Sequence, residues 1–153
     1  MTAGMTELLL VAAIAGRRIA LRAAEVHSVV ELESLTPVPR APAHIAGLSA
    51  LRSRVLTVID CRASLHLEPP AEAARKPQAA VVEVEGHLYA LLVDGVEDVV
   101  EARSACIPLR SRLGRGWDRA ALGMAEAEAG PLLLLSVAGI VAGPEEPGAV
   151  RAA

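Results

Sequence analysis

Four histidines, at positions 27, 44, 66 and 87, are the first residues to test for chemistry. They share no metal-ligand spacing, and none stands beside a candidate nucleophile. Cys61 and Cys106 lie far apart and neither belongs to a C-x-x-C pair, so the expectation is two buried, reduced thiols. No Walker loop, no G-x-G-x-x-G and no G-x-S-x-G is present. Two aspartates are the remaining candidates. Asp60 ends an apolar run and is a pocket acid, a cap for the next turn, or a partner for Arg52 or Arg62. Asp94 precedes Gly95 and reads as a turn residue. No catalytic, cofactor-binding or metal-binding set assembles, and an enzyme is not expected.

Binding chemistry is better represented. Residues 103–119 carry Arg103, Arg110, Arg112, Arg115 and Arg119 around Trp117. Arginine with an aromatic suits either a nucleic-acid strand or a protein interface. Fifteen basic against eighteen acidic residues leave a net charge of −3, which argues against nucleic acid and for a solvated loop or an acidic protein partner. Valines at 26, 29 and 30 recur at 96, 99 and 100, and read as core or as an apolar groove able to take a partner helix.

The elements that position these residues come from an internal repeat. A shift of seventy positions superposes Gly16 on Gly86, Ala20-Leu21 on Ala90-Leu91, Val26 on Val96, and Val29-Val30-Glu31 on Val99-Val100-Glu101. A shift of seventy-six superposes Gly47-Leu48 on Gly123-Met124, and residues 58–60 on 134–136. Both copies read as strands: 8–15, 19–21, 26–32 and 55–59 in the first, and 79–85, 89–93, 96–102 and 132–137 in the second. Hairpin turns fall at Gly16-Arg17 and Gly86-His87, and a turn of helix is expected at 62–66 or 137–142. Runs 55–59 and 132–137 are continuous enough to be buried on both faces. The core must be aliphatic, since 53% of the chain is hydrophobic while Tyr89 and Trp117 are its only aromatics. The fold expected is all-β, two small barrels or sandwiches packed on each other. One domain spans 7–142, with copies at 7–67 and 79–142, a proline-rich connector at 68–78 and a frayed tail at 143–153. Residues 8–15 are too few to span a membrane and lack preceding basic residues, so a cytoplasmic protein is expected.

Val26-His27-Ser28-Val29, the run 42–48, Leu51-Arg52, Val58-Ile59-Asp60 and the run 92–99 together resemble the CheW family of chemotaxis coupling proteins. The resemblance covers residues 7–142 and rests on joint order and spacing. It implies two SH3-like five-stranded barrels with a groove between them, no cofactor, and a non-enzymatic adaptor at receptor arrays. Its partners would be chemoreceptor cytoplasmic helical tips and the regulatory domain of a CheA-type histidine kinase, with no nucleic acid, no membrane insertion, and a monomer when alone. The receptor-binding groove then maps to Val26, Ser28, Val29, Leu48, Arg52 and Val99. The kinase contact maps to Gly47, Ile107, Leu109, Arg110, Arg112 and Leu113. Ser28 replaces the family's acid, which the second copy keeps as Asp98. Ala50 and Ser53 replace its asparagine and second glycine, Thr57 its proline, and Arg110 and Arg112 stand where relatives often carry an acid. A glycine position taken by Ser53 costs about 1 kcal/mol if it needs φ > 0. Arg52, without an acid at 28, is left with Glu31, Asp60 or another protein. These departures support a second reading, a kinase-binding competitor or array spacer that no longer couples receptors. A third, a ligand-binding protein or hydrolase using Asp60 or Asp94 in the inter-barrel cleft, lacks a nucleophile–base pair.

Overall fold

The computed structural model of the chain describes residues 7–72 and 77–144. Ten strands appear in order: β1 (Leu8–Ile14), β2 (Arg17–Arg22), β3 (Val26–Glu31), β4 (Ile45–Leu51), β5 (Arg54–Asp60), β6 (Gln78–Val84), β7 (His87–Val93), β8 (Gly95–Glu101), β9 (Ala121–Ala127) and β10 (Gly130–Leu135). Three short helices, α1 (Cys61–Ser64), α2 (Arg115–Ala120) and α3 (Val137–Ala142), and a 3-10 turn at Ala23–Glu25 complete the described elements. The helical turns expected after β5 and β10 are both present. Helix α2 is a correction: residues 103–119 read as a solvated loop or a partner surface, yet Arg115–Ala120 is helical, with Trp117 and Ala120 buried.

The strands form two five-stranded sheets, ordered β3-β6-β7-β5-β4 and β8-β1-β2-β10-β9. Each closes on itself because the chain leaving its first strand returns to its last. Thr36 bridges Leu48 on β4, and Ile107 bridges Met124 on β9. These are the two SH3-like barrels, here called barrel I and barrel II. Each barrel is built from both sequence copies: the β6–β7 hairpin of the second copy completes barrel I, and the β1–β2 hairpin of the first completes barrel II.

That exchange explains why β1, residues 79–82 of β6 and residues 132–135 of β10 are unbroken apolar runs. Leu9 and Val11 fill barrel II, while Leu10, Ala12 and Ile14 face a core shared between the barrels. On β10, Leu132 and Leu134 point inward and Leu133 and Leu135 into the shared core. In barrel I, Ala79 and Val81 line the interior, and Ala80 and Val82 the shared core. With side chains alternating at period two, a strand apolar on both faces must be covered on both. Val55, at the start of a run read as doubly buried, departs from this: it lies near the hairpin tip and is 65% exposed.

Hairpin β1–β2 turns at Ala15-Gly16 and β6–β7 at Glu85-Gly86, one residue earlier than the sequence pattern placed them, with φ positive at all four residues. Both are two-residue turns whose twist matches that of the strands. The glycine repeated at 47 and 123 has a different cause. The bridging segment crosses so close to the last strand that a Cβ on Gly47 would run into the Thr36 carbonyl, and one on Gly123 into that of Ile107. Both glycines also sit at φ near +150°, at 152° and 149°.

Candidate partner-binding surfaces

Val26, Ser28 and Val29 share β3, the first strand of barrel I, and Val99 lies on β8, its counterpart in barrel II. Cross-strand partners share a face of a sheet, so the partners show where these valines point. Val26 pairs with Val82 and Val29 with Ala80, while Val99 pairs with Leu10. All three partners belong to the shared core. The valines therefore continue the inter-barrel face outward, with Val26 half-buried, Val29 39% exposed and Val99 49% exposed. The repeat made this valine pair visible, but its orientation follows only once the core face is known. Ser28 is exposed and follows a bulge between Val26 and Ser28.

Leu48 is exposed on β4, held by reciprocal backbone bonds with Thr36, both 2.8 Å. Gly47 is buried beneath the same crossing and offers no side chain to a partner; its part is to let the segment approach and set Leu48 outward. Arg52 lies four residues beyond Leu48 (about 13 Å along a strand) at the tip of the β4–β5 hairpin. Arg52 and Ser53 form that turn with φ of 48° and 68°, so the position taken by Ser53 does require the left-handed conformation. None of the side-chain hydrogen bonds or ion pairs among the described residues involves Arg52. Asp60, one partner considered for it, instead caps α1 by accepting from the Ala63 amide at 3.2 Å. Its repeat counterpart Ser136 caps α3 by accepting from the Gly139 amide at 2.9 Å. The capping alternative for Asp60 is the one found.

Arg62 pairs with Asp94 rather than Asp60. Asp94 is the single residue between β7 in barrel I and β8 in barrel II. Its carboxylate accepts from the Ala15 amide at 2.7 Å and from Arg62 Nη2 at 2.7 Å and Nε at 3.2 Å. Burial by itself would push the Asp94 carboxyl up, but the Arg62 guanidinium and the Ala15 amide hold it below the usual carboxylate range. The same hydrogen bond raises Arg62. Arg62 also donates to the Glu68 carbonyl at 3.0 Å, at the start of the connector. This is a tie between barrels, not an acid awaiting a substrate. Burial, reinforced by Asp60 and Asp94, pushes the Cys61 thiol far up, which removes it as a nucleophile. Cys106 is half-buried, where a buried thiol was expected.

Residues around 107–113 separate into two sets. Leu109 and Leu113, expected among the contacts, turn inward and are half-buried against the shared core. Ile107, Arg110 and Arg112 are exposed. Trp117, expected in a basic surface loop, is buried with Arg17 stacked 5.0 Å from its ring centroid. Arg119 also turns inward, donating to the Gly139 carbonyl at 2.6 Å and the Ser64 carbonyl at 2.9 Å, so that α1, α2 and α3 are joined. The five-arginine stretch is thus not one surface: part of it holds the helices together. Among the described residues no three His, Cys, Asp or Glu side chains gather as a metal site, and no helix is long and apolar enough to cross a membrane.

Comparison with known proteins supplies the context for this geometry. The family model described as CheW-like domain matches residues 8–145. A chemotaxis protein CheW of Rhizobium meliloti is 37% identical over 65 residues, 42% of this chain and 41% of that protein. A probable chemotaxis protein CheW of Rhizobium etli is 37% identical over 76 residues, 48% of each. The matched segments thus span just under half the length of these curated relatives. The crystal structure of scaffolding protein TtCheW from Thermoanaerobacter tengcongensis superposes with a TM-score of 0.76 at 23% identity, covering 87% of this chain and 90% of that one.

Proposed function

This chain belongs to the CheW-like domain family, and we propose that it is a non-enzymatic adaptor coupling chemoreceptor cytoplasmic tips to a CheA-type histidine kinase in a chemosensory array. The observation that carries this reading is the paired apolar edge. Val26 and Val29 on one barrel and Val99 on the other extend an apolar inter-barrel core to the surface, where a helical receptor tip could cover them. Leu48 adds an exposed apolar side chain on barrel I, and Arg52 an ion with no partner among the described residues. The kinase's regulatory domain would meet Ile107, Arg110 and Arg112 on barrel II, with Gly47, Leu109 and Leu113 holding the two bridging segments in place. No cofactor takes part, and the protein works in the cytoplasm at arrays it reaches through its partners.

The departures at Ser28 and Ser53 favour one alternative, a kinase-binding competitor or array spacer. With Ser28 exposed and no acid at that position, the charge pairing that would orient Arg52 is absent, and charge complementarity selects partners more than it sets affinity. Calorimetric titration of the purified protein with the regulatory domain of its own organism's CheA-type kinase, followed by receptor-tip peptide, decides between them. Binding of both supports the coupling role. Kinase binding alone supports the competitor, and binding of neither removes both readings.

A further inference from the structure

We infer that Arg110 and Arg112 form a preorganised acceptor for an acidic loop of a protein partner, which on the reading above is the kinase regulatory domain. Between the Ile107 bridge and α2 the chain is pinned at both ends. Ile107 exchanges backbone bonds of 2.8 and 2.7 Å with Met124, and the Leu113 amide donates to Asp118 Oδ1 at 2.9 Å. Leu109 and Leu113 anchor the stretch on the shared core, so the residues between them are presented outward. Arg110 and Arg112 are both exposed, and no hydrogen bond or ion pair among the described residues occupies either. They border an open cleft of about 490 Å³, which Ser111 and Leu122, 44% exposed, also line. Asp118 also borders this cleft, exposed and with Oδ1 accepting from the Leu113 amide, so the two arginines outnumber a single negative charge.

Two guanidinium groups facing solvent near the exposed Leu122 fit a loop that carries Asp or Glu next to an apolar side chain. Arginine forks bind carboxylates bidentately, and loop backbone already ordered before binding spares the complex that entropic cost. Barrel I supplies an internal comparison. Thr36 occupies the place of Ile107, and the shorter segment that follows it to β4 carries one exposed arginine, Arg40, where the segment of barrel II carries Arg110 and Arg112. The paired arginines are thus a feature of barrel II.

The full-length protein and an Arg110→Glu/Arg112→Glu variant are titrated with the kinase regulatory domain at low and raised salt, with receptor-tip peptide as control and sedimentation of each protein alone. Both side chains are exposed without internal partners, so the variant should melt at the wild-type temperature. The expected result is at least about tenfold weaker kinase binding at low salt, a shallower salt dependence and unchanged receptor binding, with Arg110→Lys/Arg112→Lys retaining part of the affinity. Equal affinity and salt dependence in the charge-reversed variant overturns the inference while leaving the adaptor reading standing. Loss of a self-association with kinase binding intact overturns it as well, by assigning the cleft to a second copy. A wild-type protein that binds no kinase domain removes the adaptor reading and this inference together.

Discussion

Asp94 shows how much of this molecule depends on single side chains at its crossing points. One residue separates a strand of barrel I from a strand of barrel II, and its carboxylate holds the β1–β2 turn through Ala15 and α1 through Arg62. Asp94→Asn keeps the shape but removes the charge. At neutral pH it should lower stability by about 1 kcal/mol, a modest figure because the pair is partly solvated. The pH dependence carries the test. Because Asp94 is held below the ordinary carboxylate range in the folded protein, its contribution is complete above about pH 4, where the unfolded carboxyl is ionised. It is lost as pH falls through the depressed folded value. Thermal melts of wild type and variant should therefore differ at pH 7 and converge as the solution is acidified. A gap that widens toward acid would refute the assignment. The sequence could not supply this role, since an aspartate before glycine is what an ordinary turn looks like, and the partner Arg62 lies 32 positions away.

At the level of the element, the strands covered on both faces are the plainest in the sequence, while the largely exposed β3 and β8 show through the repeat. Runs such as Leu132-Leu133-Leu134-Leu135 have no polar period to confuse them, and the shared core explains their composition. β4 and β9 were not visible as strands. Their sequences, IAGLSAL and ALGMAEA, are rich in small residues with weak strand signal, and a bridging segment crosses each strand at its glycine. Helix α2 escaped notice because its residues RGWDRA carry no apolar stripe long enough to register. The candidate surface was legible to the same extent. The valines of β3 and β8 stand out through the repeat, whereas which of Ile107, Leu109 and Leu113 faces a partner depends on packing alone. Two substitutions of opposite sign probe this level. Ser53→Gly relieves a left-handed residue and should stabilise by about 1 kcal/mol. Gly47→Ala puts a methyl group into the Thr36 carbonyl and should cost about 2–4 kcal/mol while displacing Leu48. Urea titrations of both variants read the two shifts directly. A neutral Gly47→Ala would show that the crossing segment is free to lift.

For the whole molecule, the decisive feature is that neither sequence copy can close a barrel from its own strands. The first copy holds β1 to β5, yet β1 and β2 need β8 and β10 beside them, while β3 needs β6 and β5 needs β7. Side chains from both barrels also meet in the shared core, which contains Trp117 and the ends of α1 and α3. Two-domain language therefore misdescribes the energetics: the barrels should unfold together, in one cooperative transition. Such a unit suits the proposed adaptor role, since partners seated on different barrels would sense one rigid body rather than two linked modules. The consequence can be tested by dividing the chain in its proline-rich connector. Each half expressed alone should lack cooperative melting, because its exposed strands have lost the neighbours that complete their sheets. The two halves mixed or co-expressed should reassemble and melt once, below the intact protein, since association now carries an entropic cost the connector had removed. Circular dichroism melts of each half and of the mixture distinguish the cases. A half that folds and melts cooperatively by itself would show that the repeat copy, and not the exchanged barrel pair, is the unit this sequence encodes.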